Sequence, residues 1–149
     1  MMRTIRNWTG LAALAACTLL PVAQANEKTL YDRLGGKKAI TAVVDEFIGR
    51  VAADTRINSY FAAAAADPQR LASFKMKLMD QICQASGGPC KYMGKDMKTA
   101  HLGMGITGPQ FDALVEDLVG ALDKFKVGEK EKGDLLGALG PMKPEIVEK

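Results

Sequence analysis

The 149-residue sequence predicts an all-α fold, and three observations indicate it. Apolar residues recur at helical spacing in several long stretches, so each stretch has one apolar face. Residues that favour helix starts stand directly before two of these stretches: Asp67-Pro68 before one, and Thr107-Gly108-Pro109-Gln110 before the other. No stretch alternates apolar and polar residues as a half-buried strand does. We therefore expect about four main helices.

The first long helix is expected over residues 37–53. Gly35-Gly36 separates it from a short leading segment, 26–34, because two glycines allow backbone conformations that end a helix. Residues 56–61 are expected to form a turn, and the alanine-rich stretch 62–66 a connector with high helix propensity. The apolar stripe of the long helix consists of Ile40, Val43, Val44, Phe47, Ile48 and Val51.

A second long helix is expected to begin with Asp67 as the N-cap and Pro68 at the first helical position. It should end near the glycine pair Gly87-Gly88. A short helical turn at 96–100 is expected to carry His101. The apolar stripe of the long helix consists of Leu71, Phe74, Leu78 and Ile82.

Two further helices complete the chain. Thr107 and Gln110 form a capping-box pattern at the start of one of them. The last helix should begin near Glu129, and Pro141 and Pro144 should kink or fray it because proline cannot donate the helical hydrogen bond. Their inward-facing residues are Phe111, Leu114, Val115, Leu118, Leu122, Phe125, Leu135, Leu136, Leu139 and Ile146.

Residues 1–25 have the parts of a secretory signal peptide. Two arginines come first, an apolar run over 11–23 follows, and Ala23-Gln24-Ala25 fits a cleavage site. The run is shorter than the roughly 20 residues that span a bilayer. We therefore expect an exported, periplasmic protein. A second interpretation starts from Leu14-Ala15-Ala16-Cys17, which resembles a lipoprotein box and would leave a lipid anchor at Cys17.

The mature domain, 26–149, is expected to be nearly neutral. Arg3 and Arg6 leave with the signal peptide and no acidic residue does, so the formal net charge of +3 falls by two. Positive and negative side chains are interspersed, without the basic patch that binds nucleic acid or an anionic membrane. Charge therefore argues against a nucleic-acid partner, and no later stretch is apolar enough to predict a membrane span.

Two cysteines remain in that domain, Cys83 and Cys90, on either side of Gly87-Gly88-Pro89. An exported protein meets oxidising conditions, and a turn at these residues could bring the sulfurs together. We therefore predict a disulfide. Two free thiols that pack as small apolar groups are one alternative. A zinc site with His101 is another, although no fourth ligand is evident.

His101 is the only histidine, which restricts the metal sites that the chain can form. A catalytic zinc site uses about three protein ligands, whereas one imidazole can hold a haem iron from one side. Lys91 and Lys98 could reach the carboxylates of a haem. The sequence lacks CxxCH, so a haem would be bound non-covalently. The competing interpretation is a surface or capping histidine. Apolar neighbours that could wall a porphyrin are Met97, Leu102, Met104 and Ile106.

Several motifs together carry a family resemblance. They are LYDRLGG at 30–36, AITAVVDEF at 39–47, YF at 60–61, GGP at 87–89, KYMGKDMKTAH at 91–101 and GIT at 105–107. This combination resembles the truncated haemoglobins of the first group over nearly the whole mature chain. The resemblance implies a two-over-two helical sandwich around haem b, with His101 as the proximal ligand and Phe61 on the haem face.

The resemblance also implies further pocket residues on the distal helix, the helix that faces His101. Lys77 and Gln81 are the polar candidates there, and some relatives close the sixth iron position with the side chain that matches Lys77. A solvated or propionate-binding lysine is the alternative. The stretch 61–87 is several residues longer than in familiar members. This register is counted back from Gly87, and counting forward from Leu71 instead would shift the residues by about one turn. The other residues that the resemblance places around the pocket, on this helix and elsewhere in the chain, are Phe47, Phe74, Leu78, Ile82, Tyr92 and Met97.

One departure from the family pattern bears on function. Ile48 stands where relatives commonly have a tyrosine that hydrogen-bonds bound oxygen. With Phe74 and Leu78, it predicts an apolar distal side that favours nitric oxide or carbon monoxide over tight oxygen retention. Nitric oxide dioxygenation or nitrite reduction is the enzymatic option, and it requires a redox partner protein. The alternative from another class is a haem-free helical binding or interaction module that uses the same pocket.

Overall fold

The computed structural model describes residues 27–149, and the predicted signal peptide, its cleavage site and Cys17 lie outside that range. Within it the structure is helical and contains no strand, as predicted. No helix in this range is both long and apolar enough to cross a bilayer. The α-helices are α1 (Leu30–Arg33), α2 (Gly36–Ala53), α3 (Ala62–Ala65), α4 (Pro68–Ala85), α5 (Met97–His101), α6 (Gly108–Lys124), α7 (Glu129–Leu139) and α8 (Lys143–Ile146), with 3-10 turns at Asn58–Phe61 and Gly140–Met142.

The four long helices form the predicted two-over-two sandwich. α2 packs against α4 within one layer and against α6 in the other, while α4 packs against α7. The predicted stripe of α2 is the centre of this packing, because five of its six apolar side chains are at most 7% exposed and Ile48 alone is half-buried. The buried residues of α2 are Ile40, Val43, Val44, Phe47 and Val51.

Local capping sets where the helices begin. Asp67, the residue before Pro68, accepts hydrogen bonds from the backbone N–H groups of Gln69 and Arg70. These bonds satisfy donors that have no partner within the first turn of a helix. Thr107 and Gln110 form the predicted capping box of α6. Both helix starts therefore lie where the sequence predicts them.

The secondary structure near the end of the chain follows the prediction, whereas that of the leading segment does not. The prolines Pro141 and Pro144 each stand in a new short element after α7, which confirms the expected break. The leading segment, in contrast, contains a capped helical turn, α1, that the sequence analysis did not anticipate. Arg33 of α1 reaches Glu131 and Asp134 of α7 at 2.6 Å each, so this turn is tied to the opposite layer.

The structure pairs Cys83 and Cys90 in the predicted disulfide, with 5.7 Å between their Cα atoms. Cys83 is fully buried at the end of α4. A side chain at Gly88 would place its Cβ 2.5 Å from Tyr31 and 2.7 Å from the Cys83 sulfur, so the turn needs glycine here. The bridge joins the end of α4 to the segment that leads toward α5.

Removing the bridge should lower stability. The double variant Cys83→Ala/Cys90→Ala should lose about 2–3 kcal/mol of unfolding free energy, because the unfolded chain regains the freedom of a short closed loop. Urea unfolding followed by circular dichroism measures this loss. Reductant should lower the wild-type midpoint and leave that of the double variant unchanged; a wild-type midpoint that stays constant while two thiols become alkylatable would contradict the prediction.

Candidate functional site

His101 is the last residue of α5, a five-residue helix. Asp96 caps the helix by accepting a hydrogen bond from the Thr99 backbone at 2.8 Å. That bond holds the pKa of the Asp96 carboxyl below its ordinary value. At the other end of the helix, the Nδ1 atom of His101 lies 2.7 Å from the carbonyl oxygen of Met97, one turn earlier.

This contact sets the tautomer of the imidazole. A carbonyl oxygen only accepts hydrogen bonds, so Nδ1 of the neutral ring must carry the proton and donate it. Nε2 then holds the lone pair, and a histidine ligand to a metal is oriented in this way, by a bond from its other nitrogen. His101 as a whole is half-buried.

The side chains around α5 form a second apolar cluster, distinct from the main core. Its buried members are Ile106, Phe111 and Ile146, and Met97 packs against them. α5 itself has no buried residue and packs mainly against α8. Leu102, the residue after His101, is 73% exposed. The helix that carries His101 therefore has a buried apolar cluster beside it and is followed by an exposed apolar side chain.

The turn after His101 is held by a carboxylate. Gly103 donates its backbone N–H to Glu148 at 2.7 Å, and Gly105 donates to the other oxygen of the same carboxyl group. These bonds hold the pKa of Glu148 below its ordinary value. Sequence analysis missed Glu148, because 43 residues separate it from Gly105 and no motif links them.

Three of the predicted pocket residues line one cavity of about 300 Å³: Ile48, Phe61 and Phe74. The cavity lies where the end of α2 meets α3 and the start of α4, and alanines of the connector form part of its wall. The rings of Phe61 and Phe74 lie 5.6 Å apart and are tilted by 52°. Of the three residues predicted for the distal side, Ile48 and Phe74 share this cavity with Phe61. Leu78 and His101 do not line it.

The other predicted residues of α4 differ in environment. Ile82 is buried in the main core with Phe47 of α2, and Leu78 packs against that core from a half-buried position. Lys77 is exposed. Gln81 donates to the sulfur of Met142 at 3.5 Å, and its side-chain oxygen is buried without a partner among residues 27–149.

Tyr92 is half-buried and bonded within its own loop. Its hydroxyl donates to the carbonyl oxygen of Lys95 at 2.8 Å. Burial, together with the nearby charge of Asp96, raises the pKa of this hydroxyl. Its backbone N–H donates to Gln84 of α4 at 2.7 Å. Tyr92 therefore links the segment before α5 to the distal helix.

One residue joins the two apolar groups of the site. Tyr60 packs against both the main core and the cluster around Met97. Its hydroxyl donates to Gln110 of α6 at 2.9 Å. The sequence analysis placed Tyr60 in a turn without assigning it to the site. Its position follows from tertiary contacts between distant parts of the chain.

The structure contradicts the alternative of a zinc site formed by Cys83, Cys90 and His101. Cys83 and Cys90 are bonded to each other and so cannot ligate a metal as thiolates. Within residues 27–149, no group of three or more histidine, cysteine or acidic side chains is placed to hold a metal ion. His101 is left as a single nitrogen ligand.

Comparison with known proteins agrees with this arrangement. The sequence model of the family described as bacterial-like globin matches residues 29–148. The group 1 truncated haemoglobin of Mycolicibacterium paratuberculosis is 34% identical over 123 residues, which cover 83% of this chain and 87% of that protein. The group 1 truncated haemoglobin of Synechocystis sp. is 37% identical over 105 residues, which cover 68% of this chain and 81% of that protein.

Solved structures show the same fold. The truncated haemoglobin of Tetrahymena pyriformis in its Fe(III) form superposes with a TM-score of 0.74 at 28% identity, covering 82% of this chain and all of that chain. The 2/2 haemoglobin of Synechococcus sp. PCC 7002 in the cyanomet state, which has covalently attached haem, gives a TM-score of 0.72 at 29% identity with the same coverage. The chain therefore belongs to the bacterial-like globin family, as a truncated haemoglobin of group 1.

Proposed function

We propose that this truncated haemoglobin binds haem b non-covalently, with Nε2 of His101 as the protein ligand to iron. The observation that carries the proposal is the 2.7 Å bond from Nδ1 of His101 to the Met97 carbonyl. It fixes the neutral ring in the tautomer that a metal ligand requires. The relatives named above are haemoglobins by their descriptions, which supports haem as the group bound here.

The residues around His101 suit such a group. Met97 precedes His101 in the sequence and Leu102 follows it. Both offer apolar contact to a porphyrin face. Lys91 and Lys98 are both exposed, so their ammonium groups can bind propionate carboxylates while their carbon chains lie along the ring. Both cysteines of the described range are in a disulfide, which is why the proposal is non-covalent binding.

The distal residues decide which ligands the iron would keep. Haem iron, when bound, supplies the open coordination position and the change between ferrous and ferric states. Ile48, Phe61 and Phe74 line a mainly apolar cavity to which Asn58 and Ser59 also contribute, and these three side chains offer no hydrogen bond to a bound diatomic molecule. Bound oxygen develops negative charge that a donor would stabilise. These side chains therefore favour nitric oxide and carbon monoxide over stable oxygen storage.

Reaction at the iron is the finer part of the proposal. Conversion of nitric oxide to nitrate, or reduction of nitrite, would need electrons from a redox partner protein. The three cavity residues carry no group that transfers a proton. Gln81 is the nearest polar candidate on α4 from the sequence pattern, and its buried oxygen accepts but does not donate. Reversible ligand binding is accordingly the function that the site supports best.

We also propose that the protein is exported to the periplasm. The pattern of residues 1–25 supports this, since it has the charged, apolar and small-residue parts of a signal peptide. The disulfide between Cys83 and Cys90 supports it independently, because structural disulfides persist in oxidising compartments.

Loss of the imidazole should abolish haem binding. The His101→Ala variant should lack the Soret band of the wild-type protein after reconstitution with haemin, while its far-ultraviolet circular dichroism remains helical. The His101→Gly variant should recover the band when imidazole is added, because free imidazole can occupy the space of the lost ring. A Soret band in His101→Ala identical to that of the wild type would mean that another residue holds the iron, and protein that takes up no haemin at all would favour the haem-free module.

A hydroxyl at position 48 should increase oxygen retention. The variant Ile48→Tyr should release oxygen about fivefold more slowly, the factor expected from one hydrogen bond of about 1 kcal/mol. The Ile48→Phe variant is the matched control, since it adds the ring without the hydroxyl. Stopped-flow measurement of oxygen and carbon monoxide dissociation tests this. Equal oxygen release from the tyrosine and phenylalanine variants would show that position 48 does not face the ligand.

The exposed position of Lys77 predicts that it does not bind the iron. The ferrous protein without added ligand should be five-coordinate and high-spin in its resonance Raman spectrum, and Lys77→Ala should leave that spectrum unchanged. Solvent competes for an exposed ammonium group, and ligation would require it to lose its proton. A low-spin six-coordinate spectrum that becomes five-coordinate in Lys77→Ala would instead assign Lys77 as the sixth ligand.

A further inference from the structure

The segment that follows α8 returns to the turn after His101. The backbone N–H of Glu148 donates to the carbonyl oxygen of Ile106 at 2.9 Å. In the reverse direction, the N–H of Gly108 donates to the carbonyl oxygen of Lys149 at 3.3 Å. Residues 147–149 therefore lie against the stretch that joins α5 to α6.

This pairing brings one carboxylate to two backbone donors. The two oxygens of Glu148 accept the N–H groups of Gly103 and Gly105, which are separated by one residue. Both glycines have positive φ, 81° and 64°, a conformation that other residues rarely adopt. A turn of this shape directs both N–H groups to the same side, where they bind one anion together.

The turn needs such an attachment because α5 has little other support. The helix has five residues and none of them is buried, so apolar packing alone does not fix its position. Asp96 holds its start through the backbone of Thr99. Glu148 holds the chain just beyond the end of the helix, because it accepts the N–H of Gly103, two residues after His101. The imidazole is thus carried on a short helix that is fastened at both ends by carboxylates.

We propose that Glu148 is a positioning residue for the iron ligand: by holding the Gly103–Gly105 turn, it sets where the His101 ring stands relative to the haem. This inference rests on the proposed function, in which His101 binds iron. The low pKa of the Glu148 carboxyl means that it is ionised at neutral pH, so the two hydrogen bonds are charge-assisted. In this proposal Glu148 acts through the turn, since its carboxylate accepts the backbone N–H groups of Gly103 and Gly105.

The test compares two glutamates of the same region. Glu148→Ala removes both acceptors, and Glu148→Gln retains one neutral acceptor oxygen and should give an intermediate effect. Glu145→Ala is the matched control, because Glu145 is an exposed residue of α8 and forms no side-chain hydrogen bond or ion pair within the described part of the chain. All variants are examined as haem-reconstituted full chains, together with His101→Ala.

Three readouts are expected to change in Glu148→Ala. Amide hydrogen exchange at Gly103 and Gly105, followed by nuclear magnetic resonance in the carbon monoxide complex, should become at least about tenfold faster when a charge-assisted acceptor is lost. The iron–histidine stretching band of the ferrous form should shift or broaden. Haem transfer to an excess of apomyoglobin should become about tenfold faster, as expected when a group that orients a metal ligand is removed. Glu145→Ala should match the wild type in all three.

The outcomes separate the two proposals. Unchanged amide exchange in Glu148→Ala would show that the carboxylate does not hold the turn. Faster exchange with an unchanged iron–histidine band and unchanged haem loss would show that it supports the turn without positioning the ligand. Either result refutes the positioning role alone. A native Soret band in His101→Ala would refute the ligand assignment and the positioning role together.

Discussion

The buried apolar face of α2 is the constraint on which the rest of the structure depends. α2 contacts helices of both layers, α4 beside it and α6 across from it. Its side chains at Val44 and Val51 are almost wholly removed from water, so both partner helices must lie where they cover this face. The end of the same helix carries Ile48 into the distal cavity. One helix therefore organises the core and also supplies part of the site.

The two sides of the site are built in different ways. The cavity side is formed where the end of α2 and the start of α4 meet the short α3. Its residues Ile48, Phe61 and Phe74 are half-buried. The side that carries His101 consists of a short helix, a glycine turn and a second, smaller apolar cluster. Hydrogen bonds at Met97, Asp96 and Glu148 position this part, since it has little buried apolar area of its own. The position of His101 thus depends on polar contacts more than on packing.

Much of the fold could be predicted because its signals are local. The Asp67 cap, the Thr107 capping box and the breaks at Pro141 and Pro144 depend on residues within one turn of each other, and the structure has each of them. The Cys83–Cys90 bridge was predictable for the same reason, since it closes a short loop. His101 could be singled out because the chain has no other histidine.

The parts that could not be predicted arise from contacts between residues far apart in the chain. Glu148 has no sequence pattern that links it to Gly103, and its role appears only when α8 folds back on α5. Tyr60 joins two apolar groups because the turn that carries it packs against both. The capped turn α1 was missed for another reason: its four residues are too few to show helical periodicity.

The disulfide at the end of α4 restrains that end of the helix. Cys83 at the end of that helix is linked to Cys90, and Gln84 is bonded to the backbone of Tyr92 just beyond it. This end of α4 therefore cannot swing away from the segment that leads to the histidine. The opposite end begins at Pro68, after the alanine connector, and has no covalent restraint of this kind. The two ends of α4 are therefore restrained unequally, and its amino-terminal end is the one without a covalent tie to the neighbouring segment.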